Sequence, residues 1–174
     1  YNNFSKIIST FFSKNKIDIL VNNTQGPPAG GAIEKNIDDY QVAFDLLFKC
    51  AVLSSSLAIH HMQNNDWGRI INVASISVKE PLNYLVLSNS IRAALTTWAK
   101  SLSVDVALNN VTVNNILTGY FDTERIEQLN SKKAEKMKIS MSDVRRTMEE
   151  SVPMKRLGKP EEYANLVCFL ASQQ

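Results

Sequence analysis

Three short apolar runs separated by long stretches of helical periodicity constrain this chain more than any other feature. "IDILV" at Ile17–Val21, the run Ile70–Val73 inside "RIINVAS", and "VTVNNIL" from Val111 to about Ile116 are short and rich in β-branched residues, so each is expected to be a strand. The consecutive apolar positions of Ile70–Val73 mark a strand buried on both faces. Between the strands the apolar residues recur at helix spacing. Phe4, Ile7, Ile8, Phe11 and Phe12 form one helix, and a long helix opens on Asn36 as N-cap and runs to about Met62, with a break near Lys49 to Ala51. Another runs from about Leu82 to Leu108, with Pro81 at its first turn, and a last one begins at Pro160, with Tyr163, Val167 and Leu170 on one face.

Parallel strands need long crossovers, and right-handed ones, so strict alternation of strand and helix implies a parallel sheet with helices on its faces. The expected fold class is α/β, doubly wound, with three strands present and residues 1–174 forming one partial domain. Ligands of such sheets bind beyond the carboxyl ends of the strands. That rule selects Asn22 to Gly26, Ala74 to Ser77 and Leu117 to Thr123. The charged stretch Thr123 to Ser151 suits short exposed helices, either a lid over a site or a solvated helix pair.

Composition narrows the function. The 19 basic and 17 acidic residues give a net charge of +2 with no one-signed block apart from Lys132 to Lys138, so neither nucleic acid nor a membrane is expected as partner. No apolar run is expected to reach the roughly 18 residues of a membrane helix, and the first residues lack the pattern of a signal peptide. Cys50 and Cys168 lie in apolar helical patterns and read as buried thiols in a reducing, cytoplasmic compartment. The adjacent His60 and His61 have no second ligand pair at metal spacing, so no metal site is expected. The chain starts inside a helical pattern without Met and stops at "FLASQQ", so both ends read as cut.

Within "NYLVLSNSIRAAL", Tyr84, Ser88 and Arg92 fall at four-residue intervals, which on a helix would stack them on one face. In order and spacing, "IDILVNN", "GRIINVASIS", "AALTTWAKSLSVDVA", "VTVNNILTGYFDTE" and "RLGKPEEYANLVCFLAS" resemble the short-chain dehydrogenase/reductase family, and within it the 3-oxoacyl-acyl-carrier-protein reductase-like members. The resemblance covers nearly the whole chain. It implies a Rossmann-type sheet, NAD or NADP as cofactor, a small-molecule carbonyl or acyl thioester as substrate, and a homo-oligomer for the full-length protein. It also implies a glycine-rich phosphate loop, which nothing in this sequence matches.

Carried over by position, the resemblance places the family's catalytic Ser at Ser75, its Tyr at Ser88, its Lys at Arg92 and its Asn at Leu47. A nearby ammonium lowers a phenol's pKa so that it can give up a proton near neutral pH, whereas a Ser hydroxyl is a far weaker acid and Arg stays protonated. Arg92 can hold phosphate or ribose oxygens but cannot relay a proton. For the cofactor, the resemblance points to Asn22, Asn23, Thr24, Arg92, Gly119, Phe121 and Thr123. Thr24 and Gln25 replace the family's Ala and Gly, and Thr118 replaces a Pro. Three readings follow: an enzyme in which Tyr84 supplies the phenol from one turn earlier, a non-catalytic subunit that keeps the fold, and a truncated product. If the first strand of the family is absent, the "IDILV" strand exposes an edge and the chain is poorly stable alone.

Overall fold

β2 (Gly68–Val73) runs between β1 (Ile19–Asn22) and β3 (Val111–Ile116) in a parallel sheet of order β1-β2-β3. The register pairs Asn22 with Asn72 and Asn72 with Asn115. These strands belong to a computed structural model that describes residues 1–174. Ile70 and Ile71 point to opposite faces and both are fully buried, as the apolar run requires. β1 forms one edge of the sheet, and its Ile19 and Val21 are exposed, as expected for a strand with a neighbour on one side only.

The chain groups into two compact units, residues 1–117 with 170–174, and residues 118–169. In the first, α1 (Asn2–Phe12) precedes β1, and α2 (Ile37–Phe44) continues through a π-helical turn, Asp45–Lys49, into α3 (Cys50–Asn64). α4 (Val86–Asp105) joins β2 to β3. Asn36 caps α2 as the sequence implies: its side chain accepts from the Asp39 N–H at 3.0 Å, while the Asp39 carboxylate accepts from the Asn36 N–H at 3.1 Å. The expected break in the long helix is present as the π turn, which begins a turn earlier than expected and carries Leu47.

α3 and α4 pack on the same face of the sheet, because two right-handed crossovers that step in one direction, β1 to β2 to β3, leave their helices on one side. Ala58 and Met62 of α3 pack there with Ile70, Val106 and Val111. A second apolar cluster joins Ala43 and Leu47 to Leu87 and Ile91 of α4.

Four expectations are corrected. α4 begins at Val86, not near Leu82, so Pro81 is not in its first turn and Tyr84 lies outside it. The cause is tertiary: the Gly30 N–H donates to the Tyr84 carbonyl at 2.7 Å and the Val86 N–H donates to the Gly30 carbonyl at 3.2 Å, a bridge at Leu85 that keeps the preceding turn off the helix. The helix also stops earlier, at Asp105, and passes through a 3₁₀ turn, Ala107–Asn109, to Asn110 in the left-handed region at φ 53°. Cys168 is exposed rather than buried, because α7 (Pro160–Ala171) encloses none of its residues fully. Finally, the helical stretch Ile37–Asn64 is long and apolar enough by composition to cross a membrane, with a mean hydropathy of 1.8 over 18 residues. Here it serves as a core helix, burying Ala43, Leu47, Ala51, Ser54, Ser55, Ala58 and Met62.

In the second unit, α5 (Glu124–Met137) and α6 (Met141–Ser151) form the expected pair of short helices. They pack against each other, and Asn130, Ala134, Val144 and Met148 are buried on them. Lys138, left-handed at φ 53°, ends α5, and the Ser140 hydroxyl accepts from the Asp143 N–H at 3.1 Å to start α6.

Candidate active site

The carboxyl ends of β1 and β2 carry the first group of candidate residues. Asn22, Asn72 and Asn115 stand in register across all three strands and form a ladder of amides. Asn22 Nδ2 donates to Asn72 Oδ1 at 2.8 Å and to Ser55 Oγ at 3.1 Å. Asn72 Nδ2 donates to Asn115 Oδ1 at 3.0 Å, and Asn115 Nδ2 to the Thr96 carbonyl at 3.4 Å. Asn72 is fully buried, and each amide in the row shares its hydrogen bonds with the next. The Asn22 side chain therefore faces α3 and binds the sheet to the helices. Sequence reasoning missed Asn72, Asn115 and Ser55; the signal was an amide inside each apolar strand, a residue that needs a partner when buried.

Ser75 follows β2 directly and starts a 3₁₀ turn, Ile76–Val78, accepting from the Ser77 N–H at 3.1 Å. That leaves the Ser75 hydroxyl proton for another oxygen. α4 packs against this turn, and its Arg92 reaches the Val73 carbonyl, two residues before Ser75. Ser88 and Arg92 are both buried, at 9% and 7% exposure. Arg92 Nε donates to Ser88 Oγ at 3.3 Å, so Ser88 too accepts from nitrogen and keeps its proton. The Arg92 fork reaches on to backbone carbonyls, Nη1 to Val73 and Nη2 to Thr24 at 3.5 Å. The guanidinium thereby ties α4 to the ends of both β1 and β2.

Ser88 and Arg92 are thus one turn apart on α4, as the spacing implies, while half-exposed Tyr84 precedes the helix in a turn and is not stacked above them. Leu47 is enclosed by Ala43, Leu87 and Ile91, so the position where the resemblance has an amide is apolar. Asn23 is exposed and Thr24 half-buried on the loop after β1.

The second unit holds Gly119, Phe121 and Thr123 on the loop that opens it. Phe121 bridges to Gly158, the Asp122 N–H donating to the Gly158 carbonyl at 2.8 Å and the Gly158 N–H to the Tyr120 carbonyl at 2.9 Å. The Phe121 ring meets Tyr163 edge-on at 5.3 Å. A methyl group on Gly119 would meet no atom within 4 Å, so this backbone is open to a flat ring. Thr123 is exposed, its hydroxyl only 3.4 Å from the Phe121 carbonyl, and it offers no side-chain cap to α5. The open face of Gly119 and the uncapped N–H groups at the start of α5 are the kinds of contact that a carboxamide-bearing ring such as nicotinamide would use. Glu124 and Glu127 in the first turn of α5 disfavour a dianion at the same place. At the other candidate contact, the donors of Arg92 are turned to Val73, Thr24 and Ser88.

A parallel α/β sheet flanked by helices, with hydroxyls and a buried guanidinium at its carboxyl ends, defines a Rossmann-type protein. Residues 2–174 match the family described as enoyl-(acyl carrier protein) reductase, and the chain belongs to this branch of the short-chain dehydrogenase/reductase family. It is similar to the NADPH-dependent reductase BacG of Bacillus subtilis, 31% identical over 159 residues that cover 91% of this chain and 61% of the relative. The 3-oxoacyl-(acyl-carrier-protein) reductase FabG of Chlamydia pneumoniae is 33% identical over 168 residues, covering 95% of this chain and 63% of the relative. This chain accordingly spans somewhat over three fifths of the length of these relatives.

Among solved structures, YwfH, an NADPH-dependent reductase involved in bacilysin biosynthesis, superposes with a TM-score of 0.90 at 29% identity, over 99% of this chain and 66% of that one. The L-sorbose reductase of Gluconobacter frateurii, complexed with NADPH and L-sorbose, gives a TM-score of 0.88 at 27% identity, over 99% and 66%.

Proposed function

We propose that the protein is a nicotinamide-dependent reductase of a carbonyl compound or acyl thioester in which two serine hydroxyls and a fixed guanidinium replace the phenol and ammonium of its family. One observation carries this reading: Ser75 and Ser88 each accept from a nitrogen donor and so keep a proton for a substrate oxygen. Two such donors stabilise negative charge developing on that oxygen as hydride adds to the carbonyl carbon, and water supplies the proton that completes the alcohol. Arg92, one turn behind Ser88, adds positive charge without exchanging a proton.

The reduced cofactor, NADPH in the names of the relatives, supplies hydride when bound. Gly119, Phe121 and Thr123 would hold its nicotinamide end, and Asn23 and Thr24 line the loop after β1. Asn22 and Arg92 act by keeping the sheet ends and that loop in place. The reading carries with it a reducing, cytoplasmic setting, which suits the Cys50 thiol, whose pKa burial pushes up, and a homo-oligomeric full-length protein.

The test is titration of NADPH and NADH into the intact protein, followed by assay of short β-keto thioesters. NADPH is expected to bind. Turnover is expected to be about 10²-fold below that of the combined Ser88→Tyr, Arg92→Lys, Leu47→Asn variant, the usual contribution of a positioned general acid. Wild-type turnover equal to that of the variant would sink the proposal, as would a failure to bind either nucleotide. Binding with no turnover at all is the outcome of a non-catalytic subunit.

A further inference from the structure

We infer that Arg145 and Tyr163 are positioning residues for the loop Thr118–Thr123, holding it from two sides in the form that receives the nicotinamide; this rests on the cofactor reading above. The loop has little regular structure of its own between β3 and α5, yet it is fastened at its start, middle and end. At its start, Thr118 Oγ1 donates to the Tyr163 phenol oxygen at 3.0 Å. In its middle, the Phe121–Gly158 bridge and the Phe121–Tyr163 ring contact fix the backbone beside the open face of Gly119. At its end, Asp122 takes both arms of the Arg145 fork, Nη1 at 3.0 Å and Nη2 at 2.9 Å.

Arg145 belongs to α6, and its Nε donates to Glu149 one turn further on, at 2.9 Å. A guanidinium gripped along both edges has little freedom, so its direction is set by α6 and passed to Asp122. Asp122 lies between Phe121 and Thr123, two of the residues proposed to meet the cofactor. Arg145 touches none of these ligand positions in the contacts described, so its effect is on where the loop sits. The helix pair α5 and α6 is thereby coupled to the loop by charge, and any shift of that pair on substrate entry would be felt at Thr123. The Tyr163 anchor acts at the other end of the loop and involves no charge.

The coupling makes two kinds of measurement informative. The pair is half exposed, 43% for Arg145 and 47% for Asp122, so salt screens it, while the Thr118–Tyr163 bond is indifferent to salt. In the intact protein, Arg145→Gln is expected to weaken NADPH binding about five-fold, the upper range for an exposed ion pair. It should also raise amide hydrogen exchange in residues 118–123. Arg145→Lys, which keeps the charge but not the fork, should recover part of the loss. The five-fold ratio should shrink toward unity in 1 M NaCl, where the Debye length is about 3 Å. Tyr163→Phe should raise exchange at the start of the loop by an amount that salt does not change.

The inference is overturned if NADPH binds wild type and Arg145→Gln equally, or if exchange in residues 118–123 is the same in both. A ratio that stays at five-fold in 1 M NaCl also overturns it, since the loss would then come from misfolding and not from the clamp. Failure of the wild type to bind NADPH or NADH at all would instead overturn the cofactor reading, and the exchange measurement would still decide whether Arg145 and Tyr163 order the loop.

Discussion

Arg92 Nε donates to Ser88 Oγ at 3.3 Å across one turn of α4, and the same guanidinium reaches the carbonyls of Val73 and Thr24 at the ends of two strands. A charge buried to 7% exposure is tolerable only with such a set of acceptors, and the acceptors in turn depend on it.

Removing that charge should destabilise the fold. Arg92→Met is expected to cost about 2–4 kcal/mol, because it deletes charge-assisted hydrogen bonds and strands two carbonyls. Arg92→Lys should cost less, since one ammonium keeps the charge but cannot span all three acceptors. Urea unfolding measures both; equal stability of Arg92→Met and wild type would show that the carbonyls find other partners.

The amide ladder makes a second claim on stability. Asn72→Ala removes the middle rung, depriving Asn22 of an acceptor and Asn115 of a donor. The expected loss is about 2–3 kcal/mol. Asn22→Ala, at the half-buried end of the row, should lose less. A larger loss at Asn22 than at Asn72 would contradict the ladder as a unit.

Gly68 is set by contact rather than by conformation. A methyl group there would lie 2.5 Å from Met62 Cγ and 2.6 Å from its Cβ, and Met62 is fully buried. Gly68→Ala should cost about 1–3 kcal/mol as α3 is pushed from the sheet. Met62→Ala in the same background should recover part of it, and a thermal melt of the two variants checks the order.

Stability at acid pH should fall in a defined window. Hydrogen bonds from Arg156 and then from the Lys159 N–H hold the Glu162 carboxyl down to about 2, well below its usual range. Arg145 lowers Asp122 in the same way. Because both folded-state pKa values are depressed, their contribution is present above the ordinary carboxylate pKa and is lost as pH falls toward about 2. Glu162→Gln should flatten the melting temperature against pH between roughly 4.5 and 2. An unchanged slope in that variant would assign the acid loss elsewhere.

How much of this was legible without coordinates can be seen residue by residue. The runs around Ile19, Ile70 and Val113 specified three strands, and Asn36 and Pro160 specified helix starts, because those signals are local: side-chain period, capping chemistry and a missing N–H. The ordered segments that carry the family resemblance are equally readable, and the match over residues 2–174 bears them out. Tyr84 was misplaced onto a helix because the bond that keeps it off comes from Gly30, more than fifty residues earlier.

The sequence by itself determined the alternation of elements, their parallel arrangement and the residue types at the candidate site, since periodicity and composition act over neighbouring positions. Only the tertiary structure decided what those residues do with their hydrogen bonds. Asn22 forms a rung of the sheet ladder, and Arg92 braces two strand ends, arrangements that the four-residue spacing and the strand pattern do not announce. Asp122 gained a role through Arg145 that no spacing announces. A polar side chain's partner is fixed by which strands and helices meet in space, and that choice lies outside any local stretch of chain.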